Sequence, residues 1–293
     1  IAYFPRTRTG MYRIPDGVQE LPVKTFANSK ISQVVIPSSM TAIREAAFYS
    51  CKNLTSIVFE EATSSENATL LIEAKAFQNC SALEEISFPK HLTELSVKNE
   101  GTTELDIFTG CNNLTAINVA EGNTRYSSID GVLCTAEETG KTILYYPLGR
   151  SGSYTIPVGV TGVGAGAFTD RPLLTEVIIP NYVTSIGENA FSLCENLVSV
   201  VFLGRAAPTT MSIGDYAFYD FPVLKSVSFD PDSDVVSIGN YAFAYCTKLN
   251  EFTNPASMQE IRDYAYQSCT ALVEVAFKEG DQSMTFGQYV FND

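Results

Sequence analysis

IGENAFSLCENLVSVVF (186–202) is one line of a phrase that this chain repeats. IREAAFYSCKNLTSIVF (43–59), IEAKAFQNCSALEEISF (72–88) and IGNYAFAYCTKLNEF (238–252) align with it on the aromatic, giving the template I-x-x-x-A-F-x-x-C-x-x-L-x-x-I-x-F. Phe26, Phe48, Phe77, Phe108, Phe168, Phe191, Phe218, Phe243, Tyr266 and Phe291 mark ten such units. A phrase returning at roughly 23 to 31 residues is too short to bury its own apolar face and must stack on its neighbours, which is the definition of a solenoid. One quasi-linear body over 1–293 is therefore expected in place of the two globular domains that the length alone would allow.

Within a unit, the segment around A-F-x-x-C reads as one or two helical turns, and L-x-x-I-x-F reads as one short strand, from its β-branched enrichment and period-two alternation. In the copy at 43–59, Leu54, Ile57 and Phe59 are expected to face the core, and Ser56, Val58 and Glu60 to face out. Strands repeat at about 4.8 Å and helical segments need more room, so the strands should line a concave side. The gap from Phe108 to Phe168 holds an inserted β-hairpin, about 123–148, and smaller insertions fall near 61–70, 96–104 and 204–212. Residues 3–18 (YFPRTRTGMYRIPDGV) match 145–160 (YYPLGRSGSYTIPVGV), yet only the second copy follows a hairpin phrase, YSSIDGVLCTAEETGKTIL (126–144). The expectation is a fragment of a longer array, with signal peptide and anchor outside it.

A formal charge of −14 argues against a nucleic-acid backbone or an anionic lipid surface as partner, since both need clustered Lys and Arg. No apolar run approaches the roughly 18 residues of a membrane-spanning helix. Six of the seven cysteines, Cys51, Cys80, Cys111, Cys194, Cys246 and Cys269, occupy the slot three residues after the aromatic, which other units fill with Ser29, Arg171 or Phe221. Side chains in one slot of adjacent coils run parallel, which is poor disulfide geometry, so these thiols are read as small buried core groups. No C-x-x-C pair suggests zinc, and no metal or cofactor is expected. His91, the single histidine, follows FPK in a turn and reads as an exposed residue with no nucleophile motif to serve. Asp230, Asp232 and Asp234 alternate, but Val235 and Tyr241 stand where a calcium loop needs Gly and Glu. The Ile-Gly pairs at 186–187, 213–214 and 238–239 read as turn glycines; G-x-G-x-x-G spacing is absent.

What remains for recognition is the outward row of the strands. Its candidate ligand-binding residues are Glu85, Ser87, Glu176, Ile178, Val201, Ser226, Ser228, Glu251 and Thr253. This is a small-residue, mildly acidic sheet with an apolar spot at Ile178 and Val201. It lacks the aromatic shelf of many sugar binders, and the nearby cluster of Tyr126, Tyr145 and Tyr146 reads as packing the hairpin onto the stack.

VGAGAFTDRPLLTEVIIP (163–180), with IGENAFSLCENLVSVVF, resembles the BspA-like, Treponema pallidum-type leucine-rich repeat, and residues 126–160 look like the island that interrupts such arrays. Arg171 and Phe221 in the Cys slot, Tyr266 for Phe and a degraded unit at 105–119 depart from the pattern. The resemblance implies an α/β leucine-rich-repeat solenoid on a secreted or surface-anchored bacterial protein. It further implies a non-catalytic, adhesin-like module whose partner is an extracellular or host surface protein. A stiff spacer without its own ligand, or a module that captures an extracellular polysaccharide, are the alternatives.

Overall fold

The L-x-x-I-x-F stretches become short parallel strands, as alternation of β-branched and small polar residues dictates. The computed structural model describes residues 4–61, 68–96, 105–204, 210–230, 233–277 and 283–292; within strands, the side chains of Glu251, Thr253, Ala276 and Phe277 are also outside the described set. The chain forms two compact units, residues 1–137 with 144–150, and residues 138–143 with 151–293. In the first, Thr9–Arg13, Lys30–Ile36 and Ser56–Phe59 pair in parallel, as do Glu85–Phe88 and Ala116–Val119. In the second, Gly152–Thr155, Leu174–Ile179, Ser199–Phe202, Ser226–Phe229, Glu251–Asn254 and Val275–Phe277 form one parallel sheet in that order.

The coils carry a second strand that the repeat phrase did not announce. It ends at the Ile of I-x-x-x-A-F. In the first unit Glu20–Leu21, Ala42–Ile43, Leu70–Ile72 and Leu92–Leu95 pair in parallel. In the second, residues 141–143 lead a parallel row through Val160–Val163, Ser185–Ile186, Met211–Ile213, Val235–Ile238, Glu260–Ile261 and Thr285–Phe286.

The expected helical turns do not form; no helix occurs among the described residues. The repeat is a β-solenoid of leucine-rich-repeat type, and the reason lies in where alternate N–H groups go. Around Phe191, Ala190 N donates to Gly187 O and Ser192 N to Asn189 O, which are i→i−3 turn bonds. The intervening groups leave the coil: Asn189 N donates to Asp215 O and Phe191 N to Ala217 O of the next one. A helix would need every N–H for its own i−4 carbonyl. The geometry is held by left-handed residues two before and two after the aromatic, as with Asn189 and Leu193 (φ 53° and 61°) or Ala46 and Ser50 (both 56°).

Between the two strand rows lies the aromatic ladder. In the first unit Phe26, Phe48, Phe77 and Phe108 stack at centroid distances of 5.0, 5.5 and 5.8 Å. In the second, Phe168, Phe191, Phe218 and Phe243 follow at 4.7, 5.0 and 5.1 Å, and Tyr266 and Phe291 continue at 5.6 and 5.4 Å. Such pairs add about 0.5–1.5 kcal/mol each beyond the area they bury. Tyr266 is 1% exposed and its hydroxyl finds no hydrogen-bond partner among the described residues. Tyr266→Phe is therefore expected to raise stability by about 1 kcal/mol, the cost of an unmade buried hydrogen bond. Urea denaturation of the two proteins checks this, and an equal or lower midpoint for the variant would contradict it.

The Ile-Gly glycines serve a different need from the turn role expected of them. A Cβ on Gly214 would stand 2.7 Å from Ile186 O and 2.8 Å from Gly187 C of the preceding coil. Close approach of two backbones, not a left-handed turn, selects glycine there.

All seven cysteines are buried and none forms a disulfide, and for the six in the shared slot this is the core role read from the sequence. The structure adds why sulfur suits it. Cys51, Cys80, Cys111, Cys194, Cys246 and Cys269 each donate to the carbonyl of the previous coil's Phe (26, 48, 77, 168, 218 and 243), at 2.9–3.3 Å. The thiol is a small apolar group with a weak donor, so it fills the slot and ties adjacent coils together. Arg171, in the same slot, is also buried, and its guanidinium donates to the carbonyl oxygens of Thr169 and Asp170.

The inserted hairpin is tighter than its phrase suggested. Tyr126–Ile129 pairs antiparallel with Val132–Thr135 through a two-residue turn, Asp130–Gly131, both left-handed (φ 49° and 69°). Asp-Gly is the sequence such a turn selects. Arg150 clamps it, donating at 2.6 Å to Asp130 O and at 2.8 Å to its carboxylate, and its guanidinium lies 5.5 Å from the Tyr146 ring centroid.

Candidate recognition surfaces

The parallel register sets outward residues of successive strands side by side. Ser153, Glu176, Ser199, Ser226 and Glu251 form one row; Thr155, Ile178, Val201 and Ser228 form the next. Of the expected site residues, Glu176, Ile178, Val201 and Ser226 are half-buried and Ser228 is exposed. The Glu176 carboxylate is fixed by its neighbours, accepting from Ser153 Oγ at 2.8 Å and Ser199 Oγ at 2.9 Å. Glu251 and Thr253 keep their place on the strand, but their side chains lie outside the described set. Glu85 and Ser87 belong to the other unit, where both are exposed opposite Ala116 and Asn118. Ser, Thr and Val make the face short-limbed, so a partner's backbone could approach it closely.

Other sequence candidates resolve as follows. His91 is buried, not exposed as expected: it keeps 8% of its surface, and its Nδ1 has no partner among the described residues. Burial holds its pKa below the usual histidine value. Among the described residues no group of three His, Cys, Asp or Glu side chains is placed to hold a metal. Asp232, the middle of the alternating aspartates, lies outside the described residues, as do 62–67, 97–104 and 205–209 of the smaller insertions. Tyr126, Tyr145 and Tyr146 pack the hairpin as expected: Leu95 N donates to the Tyr126 hydroxyl at 3.0 Å, Tyr145 lies 5.6 Å from Phe108, and Tyr146 is 1% exposed.

The aromatic shelf missing from the strand face is present on the turns. Tyr216, Tyr241, Tyr264 and Tyr289 hold the position two before the core aromatic in four successive coils of the second unit. Their rings stack at 5.1, 4.7 and 5.2 Å with interplanar angles of 5°, 6° and 20°. Tyr219 stands edge-on to Tyr216 at 5.5 Å and to Tyr245 at 5.4 Å. Beside the stack, a polar ladder fixes the backbone. Asp215 accepts from Asn240 N and Nδ2 at 2.7 and 3.0 Å, Asn240 Oδ1 from Asp263 N at 3.1 Å, and Asp263 from Gln288 N at 2.7 Å.

These four tyrosines adopt left-handed φ of 53–57°. That conformation costs a side-chain-bearing residue on the order of 1–2 kcal/mol and is least unfavourable for Gly or Asn, the residues used at 166 and 189. Stacking offsets part of that cost. The signal was legible as D-Y-A-F (215–218), N-Y-A-F (240–243), D-Y-A-Y (263–266) and Q-Y-V-F (288–291), once these coils are aligned apart from the rest.

Comparison with known proteins agrees with this architecture. The family model described as BspA type leucine-rich repeat region, in six copies, matches residues 3–129 and 161–293. The chain belongs to the BspA-type leucine-rich repeat family. No curated protein matches it significantly. Among solved structures of this repeat type, a leucine-rich cell surface protein from Faecalibacterium prausnitzii is similar at 21% identity and TM-score 0.60, over 90% of this chain and 71% of that one. The pneumococcal vaccine antigen PcpA is similar at 22% identity and TM-score 0.59, over 89% of this chain; the match spans 60% of the PcpA chain. A leucine-rich repeat protein from Eubacterium ventriosum follows at 22% identity and TM-score 0.52, over 94% and 83%. At these identities the BspA-type fold is what is shared. Among the described residues no helix is long and apolar enough to cross a membrane.

Proposed function

We propose that this BspA-type array is a non-catalytic recognition module, displayed outside a bacterial cell, whose partner is a protein on a host or neighbouring-cell surface. The carrying observation is the register: in the second unit successive coils deliver the same slots to the same rows, so side chains distant in sequence stand side by side on one surface. A row of Ser, Thr and Glu beside Ile178 and Val201 gives a mildly acidic face with an apolar centre, the polar and apolar mixture usual at protein interfaces. The cell-surface description of the F. prausnitzii protein supports the location.

The test is binding of the purified chain to a panel of extracellular-matrix proteins and oligosaccharides, beside Glu85→Lys/Glu176→Lys/Glu251→Lys. Saturable capture of a matrix protein, reduced about tenfold or more in the charge-reversed protein with its circular dichroism unchanged, is expected. Saturable binding of an oligosaccharide alone would favour polysaccharide capture. Absence of binding across the panel would favour a spacer.

A further inference from the structure

We infer that the stripe of Tyr216, Tyr241, Tyr264 and Tyr289, flanked by Tyr219 and Tyr245, docks a Lys- and Arg-bearing segment of a protein partner. The inference rests on the reading of the chain as a recognition module, but not on its strand face.

Three observations carry it. First, the rings are ordered before any partner arrives, each fixed against the next at about 5 Å, so little side-chain entropy remains to be lost on contact. Second, none of the six hydroxyls is hydrogen-bonded within the described residues, and all six side chains are half-buried or exposed, up to 59% for Tyr289. Among the described residues, the stripe is a run of phenol oxygens whose bonding capacity is unused. Third, the charged groups acting on these phenols are negative. Loss of solvent around the rings and then the neighbouring phenols raise the pKa of Tyr219, Tyr241 and Tyr264; Asp220 adds to this at Tyr219 and Asp263 at Tyr241 and Tyr264, and the whole chain carries −14.

The ring geometry selects between ligand classes. A sugar stacks on the flat face of an aromatic ring, but in this ladder each inner face is covered by the next tyrosine, and edges and oxygens are left to the outside. Guanidinium and ammonium groups donate to such oxygens and to the exposed Asp220, while their aliphatic stems lie along the ring edges. Charge complementarity then steers the encounter.

The decisive variant is Tyr216→Asn/Tyr241→Asn/Tyr264→Asn. Asn189 already fills this left-handed slot in the preceding coil, so the backbone should tolerate it. The probes are a peptide of about a dozen residues alternating Arg with Gly and Ser, its Glu counterpart, and cellohexaose, measured by calorimetric titration at low and physiological salt. Saturable binding of the Arg peptide alone is expected, weakening as salt rises. It should fall at least about tenfold in the tyrosine variant and persist in Glu176→Lys. Asp220→Arg should weaken it as well, an independent readout should the triple variant not fold. Equal binding by variant and parent, no binding of the Arg peptide, or capture of cellohexaose in its place would overturn the inference. None of these bears on the strand face, which the matrix-protein panel tests separately.

Discussion

Phe218→Ala is expected to destabilise the second unit by about 3–5 kcal/mol, the range for truncating a buried Phe. The ring is completely buried between Phe191 at 5.0 Å and Phe243 at 5.1 Å, with Phe221 at 6.1 Å. Removing it opens a void that the coils cannot close, because the strands on both sides hold their spacing through backbone hydrogen bonds. Two stacking contacts are lost as well as the buried area. In a solenoid, stability is approximately a sum over nearest-neighbour interfaces, so a defect in the middle coil weakens two interfaces at once. A total stability of about 5–15 kcal/mol leaves little margin. Urea unfolding followed by circular dichroism should show a much lower midpoint and, if the flanking coils uncouple, a broadened transition. Phe218→Leu, which keeps most of the volume, should cost less than half as much. A loss below about 1 kcal/mol for the alanine variant would mean that the ladder is not what holds the coils together.

That ladder was the most legible part of the molecule, because a residue needed in every coil must recur in every coil. The Cys slot and the outward strand rows were legible for the same reason. The turns were not. A-F-x-x-C has the length and composition of a helical turn, and what prevents a helix is non-local: Phe191 N bonds to Ala217 O, 26 residues away in sequence. Local propensity cannot see such a bond. The second strand escaped notice because pairs such as Ser185–Ile186 are too short to show alternation. A turn after FPK reads as exposed, whereas the burial of His91 depends on how the coil packs, which local sequence does not carry. The tyrosine stripe was hidden by the alignment itself. Its slot holds Lys24, Ala46, Lys75, Gly166 and Asn189 in earlier coils, so a template averaged over the chain reads it as variable. Scaffold is what all repeats share, and a surface that works need be shared only by the coils that build it.

The thiols of Cys111 and Cys194 make the chain sensitive to alkali, and the sign follows from the loss of solvent around them; Cys51 and Cys269, each hydrogen-bonded to a second thiol, shift the other way. Loss of solvent pushes the thiols of Cys111 and Cys194 up to about 12, and that of Cys246 well above its ordinary value. In the unfolded chain a cysteine titrates near 8.5. Below that pH both states hold the proton and the full stability is present. Between roughly 8.5 and 12 the unfolded state releases it and the folded state does not, so unfolding gains up to about 1.4 kcal/mol per pH unit for each such thiol. Cys111 lies in the first unit and Cys194 in the second, so each unit should lose on the order of 2–3 kcal/mol by pH 10.5 from these two groups alone. Urea midpoints at pH 8, 9.5 and 10.5 should fall steeply. In Cys111→Ala/Cys194→Ala the slope should be shallower, although the variant starts lower at pH 8 for want of the bonds to the carbonyls of Phe77 and Phe168. Growing negative charge on an already acidic chain also favours unfolding at high pH, but it acts on both proteins alike, so the difference between their slopes isolates the thiols. Equal slopes would show that these cysteines reach solvent and ionise in the folded state, which would undo their assignment to the core.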